Sequence, residues 1–276
     1  MVNSSASETA CPEMRYEEGH WIRSGNLEYG LRAYLEQQST SYSQVKNAFV
    51  RDLIGSLKGL RFLDFGCGAG MFMVHAAMQG AALTVGVDVE ETVLKTARYF
   101  AGKHGLADRC HFICSRGFPF HAAAPHFDVV LIKDVLEHVP HDQELLNAAA
   151  GLLAPGGCMV VSTQNALSLN YLIEGTLRKF FRHEKKWRGW DPTHLRFYTP
   201  GVLRGKLDEA GLKIVDWRSA YIIPHKLPAP ASSGRKFYRI EALSRADRFL
   251  GRIFPFRMIG WNVIVKGEKK GGYGRL

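Results

Sequence analysis

The sequence predicts an α/β fold, a mainly parallel sheet wrapped by helices, and three observations carry that prediction. Short β-rich runs alternate with helical stretches from Leu60 to Ser162. The first run, Leu63-Asp64-Phe65, breaks into three glycines spaced by two, Gly66, Gly68 and Gly70. The composition is that of an ordinary globular chain of 276 residues, 46% hydrophobic and 22% charged, which buries a sizeable core without staples.

Residues 1–20 carry no usable periodicity. Leu31, Leu35, Val45, Phe49, Leu53 and Leu57 recur at helical spacing and predict one or two helices, an N-terminal lead-in over 1–59 ahead of a main domain over 60–276. Strands are predicted over 60–65, 83–87, 111–114, 127–132 and 158–162. The intervening helices fall over 71–79, 90–103 and 142–153, the last capped by Asp142 and stopped by Ala154-Pro155-Gly156-Gly157. Pro119 and Pro125 leave room only for a vestigial helix between the third and fourth strands. A helix over 201–210, a strand over 212–217 and a last strand over 261–266 complete the alternation. Two segments, 166–198 and 221–260, stand outside it and are candidate caps over an active site.

No apolar run is long enough to span a bilayer, and the first eleven residues lack the pattern of a secretory leader. Five cysteines without a C-x-x-C pair indicate neither a disulfide framework nor a zinc ribbon. A cytoplasmic location is the expectation. The net charge of +10 is concentrated toward the end of the chain.

Glycine lets backbone approach a ligand where a Cβ would intervene. A nicotinamide fingerprint requires a third glycine where Met71 stands, which counts against a dehydrogenase. Asp88 ends the second strand eighteen residues beyond Gly70. A carboxylate there can accept both hydroxyls of a ribose, or can cap the helix that follows.

In this order LDFGCGAG, VGVD, FDVVLIKDVLEHV and LLAPGGCMVVST resemble the class I S-adenosylmethionine-dependent methyltransferases. Asp191-Pro-Thr-His-Leu-Arg-Phe-Tyr-Thr-Pro200 extends the resemblance toward the ubiquinone-biosynthesis O-methyltransferase branch. The resemblance implies a Rossmann-like sheet of seven strands, mostly parallel with helices on both faces, the last strand antiparallel. It implies S-adenosylmethionine as cofactor and S-adenosylhomocysteine as product. By position, the methionine part lies beside the turn Asp64, Gly66, Cys67, Gly68 and Gly70, the ribose on Asp88 and the adenine near Val89, with backbone near Lys133 closing the pocket. Where the family often has Gly-Asp, this chain has Ser115-Arg116. Arg116 cannot accept from the adenine amino group, so either Ser115 with backbone atoms reads the base or apolar contacts hold it.

Methyl transfer is an in-line displacement in which the protein positions the partners and excludes water. No nucleophile elbow, Walker loop or H-E-x-x-H is present, and Ser162-Thr163-Gln164-Asn165 is not the Asn-Pro-Pro-aromatic motif of amine-directed nucleic-acid enzymes, so oxygen is the expected acceptor atom. Asp134, Glu137 and His138 fall within one helical turn after the fourth strand, and His194 follows downstream. Three roles stay open for this set. In similar families an acid-x-x-Glu-His with a later His resembles a divalent metal site, His138 or His194 can act as general base, or Glu137 and His138 only support the turn.

The first cap carries an apolar stripe from Leu169 to Phe181, then a basic cluster with Trp187 and Trp190. The stripe packs as a lid, or Trp187, Trp190, Tyr198 and the basic residues line a pocket for an aromatic, acidic or lipophilic acceptor or for a nucleic-acid backbone. Apolar residues and arginines alternate over 238–254, a basic amphipathic helix for packing over the sheet or for peripheral contact with a membrane. The expected function is methyl transfer to the hydroxyl of a small molecule. A nucleic-acid methyltransferase and a non-catalytic cofactor-binding protein are the alternatives.

Overall fold

The computed structural model describes residues 20–115, 126–181, 191, 193–224, 226–228 and 237–270. Its centre is a seven-stranded sheet in the order β3-β2-β1-β4-β5-β9-β6. The strands are β1 (Arg61–Phe65), β2 (Leu83–Asp88), β3 (His111–Cys114), β4 (Phe127–Lys133), β5 (Leu153–Gln164), β6 (Leu212–Ala220) and β9 (Asn262–Lys269). A separate two-stranded ribbon joins β7 (Lys226–Pro228) and β8 (Phe237–Arg239). The strands from β1 to β5 pair in parallel, and β9 runs antiparallel to both β5 and β6, as the sequence led one to expect.

The helices are α1 (Leu27–Gln38), α2 (Ser41–Ile54), α3 (Met71–Met78), α4 (Glu91–Lys103), α5 (Asp142–Gly151), α6 (Leu169–Phe181), α7 (Pro200–Glu209) and α8 (Glu241–Leu250). Successive strand side chains point to opposite faces, and the core divides accordingly. Phe62, Leu131, Val160 and Ile264 join Phe49, Met73, Leu94 and other residues of α1 to α4 in one cluster. Leu63, Val130, Val161 and Val263 join Leu145, Leu146, Leu203 and Leu207 of α5 and α7 in the other. α1 and α2 therefore share a core with the sheet.

Caps fix several helix starts. Asn26 accepts from the Tyr29 amide, Thr40 from Ser43 and Thr199 from Val202, with Pro200 opening α7. Asp142 departs from its expected capping role, because His141 holds that position without a side-chain bond. The Asp142 carboxylate instead accepts from the Tyr198 hydroxyl at 2.6 Å and pairs with Lys206 and Arg196 at 3.0 Å each. α5 ends at Gly151, so Ala154-Pro155-Gly156-Gly157 lies inside β5 at a shift of register against β4. The vestigial helix expected between β3 and β4 lies outside the described residues.

The strand order reverses between β1 and β4, the topological switch where open α/β sheets hold ligands at the carboxyl ends of their strands. The glycine turn leaves from that end of β1, Asp88 from that end of β2, and Asp134 follows that end of β4.

Candidate active site

The turn after β1 is shaped by its glycines. Gly66 has φ +76°, and a Cβ there would lie 2.3 Å from Cγ2 of Val135, so the close approach of two strand ends admits glycine alone. Gly68, at φ +54°, differs because a Cβ on it would meet nothing within 4 Å. Its backbone faces open space, and its N–H donates to Asp88 Oδ2 at 2.9 Å. The other Asp88 oxygen accepts the Glu90 amide at 3.1 Å, so Asp88 braces the glycine turn and the entry to α4 together. Gly70 faces inward toward Ala97 and Phe112, and the Cys67 side chain is buried against Gly86. Both serve packing.

Asp64 is buried in β1 beside Gly86 and Leu131 of the neighbouring strands. Burial pushes its carboxyl up to about 7, Lys133 pulls it down and Asp88 pushes it up. Burial also raises Asp88, against the amide donors of Gly68 and Glu90. Two carboxyl groups held in this state gain from a cationic ligand, which would favour their charged forms. Ser115 continues from β3, its amide donating to the Asp88 carbonyl at 2.9 Å, and the Val89 carbonyl accepts the Cys114 thiol at 3.6 Å. Arg116 lies outside the described residues.

The second half of the candidate site begins at Asp134, whose φ is +55°. Its carboxylate is held by Lys46 of α2 at 2.5 Å and by Lys133 at 2.9 Å. Asn262 Nδ2 and Ser162 Oγ approach its other oxygen at 3.4 and 3.5 Å, and the Tyr42 hydroxyl donates to Asn262 Oδ1. Burial alone would raise the Asp134 carboxyl, but Lys133 and Lys46 outweigh it and hold the group well below the usual range. Burial lowers Lys133 in turn, partly offset by Asp134.

Asp134 thus departs from the set predicted around Glu137, since its charge is spent on two lysines. The remaining three do assemble. Glu137, His138 and His194 bring ligand atoms within 4.8 Å of one another. Glu137 and His138 sit on a one-turn helix over 136–138, and the two imidazoles lie 4.8 Å apart by ring centroid. The segment carrying His194 is tied in by the Leu195 amide, which donates to the Glu137 carbonyl at 2.8 Å.

Glu137 is fully buried, and Oε2 accepts the Thr163 hydroxyl at 2.7 Å. Oε1 is buried without a hydrogen-bond partner among the described residues. Burial, then the neighbouring Asp134, pushes this carboxyl up to about 7. His138 is oriented from its other side. Thr193 Oγ1 lies 2.6 Å from Asp191 Oδ1 and 3.0 Å from His138 Nδ1. The hydroxyl has one proton, and the carboxylate can only accept. Thr193 therefore donates to Asp191 and receives from His138 Nδ1–H, which leaves Nε2 as the basic nitrogen.

Lys46, Thr163, Asp191, Thr193 and Asn262 escaped sequence reasoning as site residues. Asp191 and Thr193, inside the Asp191 to Pro200 motif, and Thr163, at the end of LLAPGGCMVVST, left a trace, and Lys46 and Asn262 left none. The basic cluster after α6 and its two tryptophans lie outside the described residues.

Comparison with known proteins agrees with the family resemblance and the fold. A family model described as a methyltransferase domain matches residues 34–216. A ubiquinone biosynthesis O-methyltransferase of Neisseria meningitidis serogroup C is 34% identical over 166 residues, 58% of this chain and 66% of the relative. One from Dinoroseobacter shibae is 34% identical over 188 residues, 66% of this chain and 72% of the relative. Among solved structures, magnesium protoporphyrin IX methyltransferase from Synechocystis PCC 6803, with S-adenosylhomocysteine bound, superposes with a TM-score of 0.54 at 18% identity, covering 90% of this chain and 89% of that one. An S-adenosylmethionine-dependent methyltransferase from Mesorhizobium loti gives 0.53 at 19% identity, covering 84% and 99%.

Proposed function

The chain belongs to the S-adenosylmethionine-dependent methyltransferase family, and on that premise we propose that it methylates a hydroxyl oxygen of a small molecule, an aromatic hydroxyl in the first instance. The observation that carries this reading is the relay from Asp191 through Thr193 to His138, which leaves Nε2 as the basic nitrogen of a ring packed against His194. A neutral imidazole is matched to taking a hydroxyl proton near pH 7.

Bound S-adenosylmethionine supplies the methyl group and leaves as S-adenosylhomocysteine. The chain's own work is to hold and shield the partners. In this reading the glycine turn and Asp88 carry the nucleoside end, with Asp64 beside the cationic end. His138 Nε2 accepts the hydroxyl proton as the oxygen acquires its methyl group. Glu137 and His194 confine the acceptor oxygen to that nitrogen. Its likeness to ubiquinone biosynthesis O-methyltransferases supports oxygen as the acceptor atom.

The same residues fit a divalent cation. Glu137 Oε1 is buried without a hydrogen-bond partner among the described residues, and Glu137 brings a carboxylate oxygen within 4.8 Å of two imidazoles, a mixed donor set suited to Mg²⁺, Mn²⁺ or Zn²⁺. Glu137, His138 and His194 would hold the ion, and it would lower the acceptor hydroxyl pKa. Asp134, paired with two lysines, would stay outside that set.

The test is transfer of isotope-labelled methyl from S-adenosylmethionine to a panel of phenols and catechols, with and without chelator, in the wild type and in His138→Ala. An O-methylated product in the wild type, cut by about 10²–10⁴ in the variant, is the expected result. Label that enters RNA while all phenolic acceptors stay blank would replace this reading with the nucleic-acid one.

A further inference from the structure

Glu137 is not alone, at the carboxyl end of the sheet, in holding a buried oxygen without a partner. Gln164, the last residue of β5, is 6% exposed, and its Oε1 is buried with no hydrogen-bond partner among the described residues. A buried acceptor left unpaired costs more than an average hydrogen bond returns, so such a group calls for an explanation. Packing does not supply one, because an apolar side chain of the same shape would fill the position without that cost.

The pleat fixes where the amide stands, since successive side chains point to opposite faces. Thr163 sends its hydroxyl to Glu137 on one face, and Ser162 reaches Asp134 on the other. Gln164 shares the face of Ser162, one step farther out, and lies opposite Asn262 in the ladder. Val160, two residues before Ser162, belongs to the core that α1 to α4 cover. Gln164 therefore lies on the α2 side of the strand end, one residue from the threonine that holds Glu137.

The other polar groups on that side are engaged. The Asp134 carboxylate holds Lys46 and Lys133. Asn262 Nδ2 donates to the Thr163 carbonyl at 3.3 Å, and Asn262 Oδ1 accepts the Tyr42 hydroxyl. Of this set, Gln164 Oε1 alone is without a partner among the described residues.

The end of β5 is also where both segments predicted as caps come together. The Gln164 carbonyl accepts the Tyr198 amide at 3.0 Å, four residues beyond His194, and the Asn165 amide donates to the Trp261 carbonyl at 2.9 Å. Tyr221 sets its ring edge-on to Tyr42, 5.3 Å away by centroid, and its carbonyl accepts from Asn170 of α6 at 2.7 Å.

We infer that Gln164 is a specificity-determining residue, whose Oε1 accepts a hydrogen bond from a second donor group, a hydroxyl or an amine N–H, on the acceptor molecule. The inference rests on the proposed methylation of a small-molecule hydroxyl. His138 takes the reacting hydroxyl, and Gln164 reads a different group of the same molecule. A neutral amide suits an uncharged donor. A site built around a buried acceptor rejects an analogue that lacks the donor, because the amide then stays unpaired.

The experiment compares the wild type with Gln164→Met on phenol, the benzenediols and the aminophenols, with labelled S-adenosylmethionine as donor, beside thermal melts of both proteins. The wild type should favour at least one of the bifunctional acceptors over phenol in kcat/KM. Gln164→Met should reduce that ratio by about 10–100-fold, with the loss falling on KM. It should melt at or above the wild-type temperature, since it removes an unpaired polar atom from a buried position. A glutamine that only supports the fold gives the reverse, a lower melting temperature with the preference retained. Methylation of the panel with a preference that the substitution leaves unaltered, or a clear loss of melting temperature in Gln164→Met, would overturn the inference alone. A panel left unmethylated by the wild type would remove the reading it rests on, and the inference with it.

Discussion

The edge proposed to hold the cofactor and the corner proposed to hold the acceptor lie at strand ends of the same sheet and are built in opposite ways. From Leu63 to Asp88 the geometry is made by backbone. Gly66 passes within reach of Val135, and Asp88 gathers two amide donors. From Asp134 to His194 it is made by side chains from separate segments, with Lys46 arriving from α2, Thr163 from β5, Asn262 from β9 and Thr193 from the loop before α7. A backbone site is written in a few contiguous residues. A side-chain site needs the whole fold before its members meet, and its charges can be rearranged by one distant lysine.

That contrast can be broken at either end, and the acceptor corner offers the largest effect. His194→Ala should lower turnover by about 10²–10⁴ while leaving cofactor affinity within about twofold, read by comparing initial rates with calorimetric titration. A parallel loss of cofactor affinity would mean that the two regions are one. Next is Gly66→Ala, which combines a left-handed backbone with overlap on Val135 and should cost about 3 kcal/mol or more of stability in denaturant unfolding. Gly68→Ala lacks the overlap and should cost about 1–2 kcal/mol; equal losses would contradict the packing assigned to Gly66.

Lys46→Met removes one of the two cations on Asp134 and should destabilise by about 1–3 kcal/mol. The loss should shrink in Lys46→Met/Asp134→Asn, and a double variant no better than the single would deny the pair. The smallest effect concerns Glu137, whose carboxyl is raised from an ordinary 4.5 to about 7. The folded state then holds a proton that the unfolded chain has lost, so stability falls as pH rises from about 4.5 to 7 and stays reduced above. Glu137→Gln should flatten that slope and raise the melting temperature at pH 8, and unchanged pH dependence would remove Glu137 as its source.

What the sequence disclosed follows the same division. The strands of the main alternation and the glycine turn with Asp88 were legible because β-rich runs and glycine spacing are local properties, whereas the antiparallel last strand came only with the family resemblance. Glu137, His138 and His194 were legible as types and spacing. The fate of Asp134 was hidden, since nothing near it in the chain announces Lys46, eighty-eight residues earlier. The relay to His138 was hidden too, because a threonine hydroxyl gains direction only from the carboxylate it faces. α6 shows a third limit. Periodicity announces that its two faces differ, and only the folded chain shows that the apolar one points away from the core.

The central claim is that the cofactor is held by the backbone-built edge independently of the acceptor corner. Calorimetric titration of S-adenosylhomocysteine into the wild type, Asp88→Ala and His138→Ala tests it most directly. Tight binding by the wild type and His138→Ala, with Asp88→Ala weakened about 10–100-fold by the lost charged acceptor, is the predicted result. Binding unchanged in Asp88→Ala, or weakened equally in His138→Ala, would contradict it.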